Sequence, residues 1–588
     1  MQTFDYQAQE LDLKLERVRK KATRLSLVRL VVFFFFGASV VLGLAEHPIW
    51  LLLTLILGVF FIRSIQNFNF QKDQEAIYLA LQKIHIDRKA RQDRKLSKFE
   101  KGSEFTEKAH PFANDLDLFG EHSLFQLLNH CFSTQGKQKL AEKMKSSFES
   151  DKVLSKRLAV QELAEKPIFL EAMEAVGKAF SKEENRNSSW LAWLKQKEKT
   201  GFFFSILAVL GPLGGITILV LANLGIIPIQ FLGLWILLGI GVMGSIFKPL
   251  KTAADTIPLS QTLKSFQVRS QLIEKEDFKS DLLKAEKEKL NAEGEKASAL
   301  LLELDQLGLW VQNRLNLLYI PFNLIFWTDF LLYSRLVKWK QKVGNALSHL
   351  PENLENWEVW VSLGAFEMEL EGNGEIFISE ENLLIADEIN HPLIVPQKSI
   401  PNSINLDQTR QVVVLTGANM SGKTTFMRTL GINCVLANLG LSPFGKSLTL
   451  GSFQLFTSMR NSDNLGESVS SFYAELSRIK SLIDRLDSGE KVFFLLDEIL
   501  KGTNTEDRIS GSRALIGQIL ETQGFGIIST HDVELAELAK VEPKVLNFSF
   551  HSEIQDQTIL FDYLLKEGPC PSFNAHKLME LMGIRFSG

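Results

Sequence analysis

Residues Gly417, Ala418, Asn419, Met420, Ser421, Gly422, Lys423, Thr424 and Thr425 fit the spacing G-x-x-x-x-G-K-[ST]. Such a loop wraps a polyphosphate in backbone N–H groups. Its lysine neutralises the β/γ oxygens and its hydroxyl reaches Mg²⁺. The chemistry requires a strand in front of the loop and a helix N-terminus behind it. The apolar run Gln411 to Thr416 supplies the strand. Together they mark an ATP or GTP site, with Lys423 on the phosphates and Thr424 on the metal.

Two further apolar strands end in groups that suit this chemistry. Lys491 to Glu498 closes on Asp497 and Glu498. Asp497 is placed to hold Mg²⁺, directly or through water, and Glu498 to polarise the attacking water. Gly524 to Thr530 ends at His531, placed to sense a γ-phosphate. The expected catalytic set is Glu498, His531 and Lys423. Between the loop and the carboxylates lies Gly466 to Leu476. There Ser470 and Ser471 can cap the following helix, with hydroxyls available to a phosphate.

These residues need a parallel sheet to converge, and from about Glu355 onward strands and helices alternate as such a sheet requires. The expected fold is an α/β P-loop ATPase domain at 355–588. It follows an all-α region at 64–200 and 248–354, with a basic segment at 1–24. Two apolar blocks, 25–63 and 201–247, interrupt the helical part. Phe202 to Ala222 and Ile226 to Phe247 carry no charge. In the first block each half is shorter than the ~20 apolar residues of a spanning helix; starting at Leu25 with Arg29 snorkelling lengthens the first adequately. Arg17, Arg19, Lys20, Lys21 and Arg24 precede the first block, and Lys195, Lys197 and Lys199 precede the second. The outer turns carry no Lys or Arg. The pattern predicts two transmembrane hairpins in the cytoplasmic (inner) membrane, with the lipid bilayer as partner and both termini and the ATPase domain in the cytoplasm.

Leu315 to Tyr333 is a further apolar stretch, but it holds Asn316, Pro321, Asn323 and Asp329. A lone Asp is costly at the bilayer centre, and a fifth span would put the nucleotide site outside. It is expected to be a core helix. The basic stretch Arg88 to Lys101 is expected to be a solvated helix face, with phosphate contact as the functional alternative. The net charge of −4 over 588 residues neither indicates nor excludes nucleic acid. Cys131, Cys434 and Cys570 show no metal-ligand spacing and read as reduced.

The string Thr416 to Arg428 resembles the P-loop of the MutS family of DNA mismatch repair ATPases. Leu496-Asp-Glu-Ile-Leu-Lys-Gly-Thr-Asn-Thr505, Ser529-Thr-His531, Ser470 to Leu476, Asn390-His-Pro392 and Phe573 to Gly583 resemble further motifs of that family. Weaker similarity to its helical core lies at Leu124 to Gly136 and Arg157 to Leu163. The resemblance implies that the all-α region at 64–200 and 248–354 forms core and lever segments, with ATP and Mg²⁺ as cofactors. It also implies a homodimer in which Ser470 completes the partner subunit's site, and DNA as a partner. Between Ile62 and the core match there is no room for the family's mismatch-reading domain, so the resemblance does not extend to mismatch specificity. The alternative is a membrane-associated mechanochemical ATPase acting on a protein or lipid. The transporter signature L-S-G-G-Q is absent.

Overall fold

The computed structural model describes residues 3–47, 49–107, 109–180, 187–196, 202–257, 260–292, 295–316, 319–343, 347–370, 372–418, 420–459, 471–555 and 558–570. Two long helices open the chain, α1 (Leu11–Ala45) and α2 (Trp50–Gln92). They run antiparallel, tied by Ser39–Thr54 at 2.9 Å near the tip and by Arg19–Glu75 at 2.7 Å towards the base. Neither helix breaks at the expected boundaries of 24 and 63, because neither a Gly nor a Pro stands there to interrupt it. The apolar ends face outwards, with Phe34, Leu52 and Leu55 about two-thirds exposed. The basal ends bury Leu15, Val18, Ile77, Leu81 and Ile84 in a shared cluster.

A helical body follows: α3 (Leu124–Leu128), α4 (Thr134–Met144), α5 (Ser150–Ala164), α6 (Pro167–Phe180) and α7 (Asn187–Lys195). The second apolar pair is α8 (Phe202–Asn223) and α9 (Gln230–Thr256), each with an internal proline, Pro212 and Pro249. Helices α1, α2, α8 and α9 are long and apolar enough to cross a membrane. The body resumes with α10 (Ser260–Lys275), α11 (Asp281–Glu288), a ribbon of β1 (Asn291–Ala292) and β2 (Glu295–Lys296), α12 (Ala297–Gln312), α13 (Tyr319–Phe326), α14 (Thr328–Val343) and α15 (Leu350–Glu369).

The expected single core helix over Leu315 to Tyr333 is instead two helices, α13 and α14, with a break at Trp327 (φ 47°). Asn323 causes the break. Its side-chain oxygen accepts from the Asp329 N–H at 2.8 Å and from Thr328 Oγ1 at 2.9 Å, capping α14 from outside. None of α13 is buried, whereas Trp327 and Phe330 are fully buried.

The basic stretch after Arg88 also differs from expectation. Its arginines turn inwards. Arg88 pairs with Glu171 at 2.8 Å and Glu369 at 3.0 Å, and Arg91 and Arg94 are buried. Of its basic residues, the lysines, such as Lys89 and Lys95, are the ones that face solvent. A guanidinium offers a planar fork of donors that buried carbonyls and carboxylates can satisfy, which an ammonium does less well.

The C-terminal part holds two mixed sheets. A four-stranded sheet has the order β3-β7-β4-β5, from β3 (Glu375–Ile378), β4 (Leu384–Ile389), β5 (Asn402–Leu406) and β7 (Ser447–Leu450). A six-stranded sheet has the order β12-β11-β6-β10-β9-β8. Its strands are β6 (Val412–Gly417), β8 (Gln454–Ser458), β9 (Val492–Asp497), β10 (Phe525–Thr530), β11 (Val545–Gln555) and β12 (Thr558–Glu567). All neighbours in it are parallel except the edge pair β11–β12. The central strands are apolar on both faces because helices cover both. Val413, Leu415, Phe493 and Ile527 share a cluster with Met427 and Leu430 of α16 (Lys423–Asn438). Val412, Val414, Phe494 and Ile528 pack with α17 (Ser471–Asp487) and α18 (Thr505–Leu520). Leu116, Phe125 and Leu127 of the helical body join the α16 side, so body and sheet share one core.

Candidate nucleotide site

Strand β6 ends at Gly417 (φ 153°), and α16 begins just after Gly422 (φ 108°). A Cβ at Gly417 would stand 2.8 Å from the Phe550 carbonyl oxygen, so this position requires glycine for space as well as for conformation. Lys423 is buried, and its Nζ donates to the carbonyls of Gly417 at 2.6 Å and Ala418 at 3.2 Å. Burial pushes its pKa down, opposed by the nearby Glu498 and Asp497.

Three adjacent parallel strands bring the other groups to the same end of the sheet. Thr424 Oγ1 donates to Asp497 Oδ2 at 2.7 Å, and Ser529 Oγ donates to the other carboxylate oxygen. Glu498 follows directly, in a left-handed conformation (φ 50°) that turns its side chain off the strand line. Its carboxylate pairs with His531 Nε2 at 2.7 Å and Lys501 Nζ at 2.7 Å. The His531 bond, helped by Lys501 and opposed by burial, draws its pKa down to about 2. Glu498 is therefore a carboxylate at neutral pH, suited to orienting water rather than to holding a proton.

The structure thus gathers Gly417, Ala418, Met420, Ser421, Gly422, Lys423, Thr424, Thr425, Asp497, Glu498 and His531. Asn419 and Ser470 lie outside the described residues, as does the Phe573 to Gly583 segment. Met420 is 87% exposed and lies at the edge of the cleft beside the loop.

A cleft of about 540 Å³ opens beside the loop. Ile389, His391, Ile394, Ile400, Phe550 and Tyr563 line it together with Lys423, Thr424 and Glu498. The apolar and aromatic part of this wall has the character of a small-molecule pocket, and the strand-and-loop reading did not find it. Only His391 carried a signal, through Asn390-His-Pro392. Burial, with Arg428 and His122 nearby, pushes its pKa down to about 4, so it is a neutral imidazole at pH 7.

Glu475 was also missed. Its carboxylate accepts from the Leu500 backbone N–H, and Phe472 packs on Gly502, where a Cβ would lie 2.5 Å from the phenylalanine Cβ. The first turns of α17 are in this way clamped to the loop that follows Glu498.

An α/β domain with a mostly parallel sheet, in which a strand–loop–helix unit faces two carboxylates and a histidine, is the class this geometry defines. Residues 413–584 match MutS domain V. The chain is 28% identical over 256 residues to a DNA mismatch repair protein MutS of Thermotoga sp. (strain RQ2), covering 43% of this chain and 32% of that one. It is 30% identical over 242 residues to the protein of that name from Aquifex pyrophilus (40% and 27%), and 31% identical over 210 residues to the one from Desulfosudis oleivorans (34% and 24%). The chain spans about a third or less of the length of these curated relatives. The likeness to the MutS family is carried by this domain.

Proposed function

We propose that the cleft binds ATP with Mg²⁺ and hydrolyses it. The observation that carries this reading is the convergence of Lys423, the Thr424–Asp497 contact and the Glu498–His531 pair on one cleft. The residues fit a magnesium ion: a hydroxyl and a carboxylate in contact form the kind of partial oxygen site Mg²⁺ takes alongside phosphates and water. Once bound, the ion would neutralise developing charge on the phosphate oxygens. Lys423 exchanges its loop carbonyls for phosphate oxygens, the loop N–H groups orient the polyphosphate, and Glu498 aligns a water. His531, bonded to Glu498, stands where it can register the terminal phosphate. Ser470 acts in trans, in a homodimer whose two sites are each completed by the partner.

The same proposal places α1–α2 and α8–α9 as two transmembrane hairpins in the cytoplasmic membrane, with the ATPase domain on the cytoplasmic side. Recovery of the full-length protein in the soluble fraction without detergent would reject that placement.

DNA is the partner suggested by the name of the relatives. The second reading is a mechanochemical ATPase acting on a membrane-level protein or lipid, and one observation favours it. The Arg88, Arg91 and Arg94 guanidiniums are engaged in internal bonds, so the arginines of the 88–101 basic stretch are turned away from an external phosphate and, of its basic residues, only the lysines face outwards. Binding of the detergent-solubilised protein to homoduplex, mismatched and branched DNA across a salt series decides between them. A DNA partner shows structure preference and a steep salt slope; the second reading predicts neither.

A further inference from the structure

The break between α13 and α14 sits in a glycine-lined groove of the second apolar hairpin. A Cβ at Gly211 would lie 2.6 Å from Trp327 Cβ, one at Gly215 2.4 Å from the Ile325 carbonyl oxygen, and one at Gly239 2.2 Å from Trp327 Nε1. Trp235 stacks on Trp327 with centroids 4.1 Å apart, and its indole N–H donates to the Ile325 carbonyl at 2.9 Å. Small residues that admit a neighbouring backbone, and a side chain that satisfies a carbonyl left over at a helix end, are the devices by which irregular backbone is tolerated at membrane depth.

The depth follows from register. Gly215 lies thirteen residues into α8 from Phe202, and Trp235 lies thirteen before Lys248, the first charge of α9. At ~1.5 Å per residue both are about 20 Å from the cytoplasmic ends of their helices, well inside a hydrocarbon layer of ~30 Å. Whatever packs on them is at that depth too.

We infer that α12–α13–α14 forms a re-entrant wedge whose tip, α13, lies among lipid acyl chains. This rests on the reading of α8 and α9 as membrane-spanning. No charged side chain occurs from Leu315 to Thr328. Ile320 and Phe322 of α13 are 43% and 53% exposed. Val209, Leu213 and Ile216 of α8 and Leu237 and Leu238 of α9, the helices α13 packs on, are exposed apolar side chains as well.

Asp329 argued against a span when taken alone, but it is not alone. Arg314 pairs with it through both Nε and Nη2, and the Tyr319 hydroxyl donates to it at 2.9 Å. The Asp329 side chain is only 4% exposed. A closed, neutral pair is the form in which such charges survive at depth. Because the chain enters and leaves on the same face, the nucleotide domain stays cytoplasmic. Helix α14 leads through the 344–349 connection to α15 and the sheets, so the wedge joins the bilayer to the nucleotide domain by two helices.

The test uses the full chain in liposomes with a fluorophore on a single added cysteine. The native thiols Cys131, Cys434 and Cys570 are buried. Three positions are compared: Phe322→Cys at the wedge tip, Leu238→Cys on α9 and Lys284→Cys in the body. The expected result is that the Phe322→Cys probe loses iodide quenching and is quenched by nitroxides on lipid acyl chains, as the Leu238→Cys probe is, while the Lys284→Cys probe behaves oppositely. Iodide access at Phe322→Cys with Leu238→Cys protected would overturn the wedge and leave the spans intact. Protection of Phe322→Cys from both quenchers would show a protein covering it, and overturns the wedge as well. Iodide access at both positions would remove the membrane reading and the wedge with it.

Discussion

Arg94 Nε donates to the carbonyl oxygen of Pro392 at 2.7 Å, joining the end of α2 to the residue beside His391 in the cleft. The same guanidinium donates to the Arg91 and Gln92 carbonyls at 3.1 Å, closing the helix it follows. Helix α2 is continuous from Trp50 in the first apolar hairpin to Gln92. A single rigid element therefore connects the hairpin to a wall of the nucleotide cleft.

Arg94→Met should cost about 2–3 kcal/mol, since it leaves buried carbonyls without a charged donor. It should also weaken ATP binding more than a distant lesion of equal cost, because the His391 wall loses its support. Arg88→Met, which breaks the pairs with Glu171 and Glu369 further from the cleft, is the comparison. Thermal melts with and without nucleotide measure both effects. Equal loss of affinity in the two variants would show that Arg94 acts only through general stability.

Glu498→Gln should lower turnover by about 10²–10⁴-fold and keep ATP binding, because water alignment fails while the phosphate loop is untouched. Lys423→Ala should instead weaken binding itself. Hydrolysis by purified Glu498→Gln at close to the parent rate would remove Glu498 from the mechanism.

The convergence of the candidate site at one end of the sheet was legible because it rests on local patterns. Gly417 to Thr425 specify a loop through spacing, and β6, β9 and β10 announce themselves as unbroken apolar runs ending in Gly417, Asp497 and Thr530. What was not legible depends on contacts distant in sequence. Ile400, Phe550 and Tyr563 meet His391 only after the two sheets have assembled. Glu475 looks like one more helix carboxylate until Leu500 is folded against it. The same limit explains Arg88, Arg91 and Arg94, whose charge suggests solvent although their partners lie on α6, α15 and the segment after β4. Trp327 is the plainest case, since Asn323 breaks the Leu315 to Tyr333 stretch by a cap that hydropathy does not register.

Stability should fall on acidification partly through His391. Its folded pKa of about 4 lies below the ordinary 6.5, so the unfolded chain takes up a proton first. Stability is then highest above the unfolded value and declines as pH drops from 6.5 towards 4. The contribution is on the order of 1–3 kcal/mol at full development. His391→Gln should show a smaller drop in melting temperature between pH 7 and pH 5 than the parent. An identical drop in both would assign the acid sensitivity elsewhere.

The last prediction concerns whether the site is shared between two chains. Phe472 on Gly502 and Glu475 on the Leu500 N–H hold the start of α17 against the loop after Glu498 in the same subunit. That clamp fixes Phe472 and Glu475, and the proposal assigns Ser470, at the head of the same sequence segment, to a partner's phosphate. Ser470→Ala should then lower hydrolysis while leaving monomer ATP affinity near that of the parent. Mixing Ser470→Ala subunits with Lys423→Ala subunits is the sharper measurement. In a mixed dimer one composite site carries both lesions and the other carries neither, so activity should partly return above that of either variant alone. Subunits shown to exchange, yet giving no recovery, would reduce Ser470 to a cap on its own helix. ATP should also tighten the dimer, because a ligand contacted from both chains binds the assembled state preferentially and linkage requires the converse. A dimer dissociation constant indifferent to ATP in the Glu498→Gln background would argue against a composite site even if Ser470→Ala proved slow.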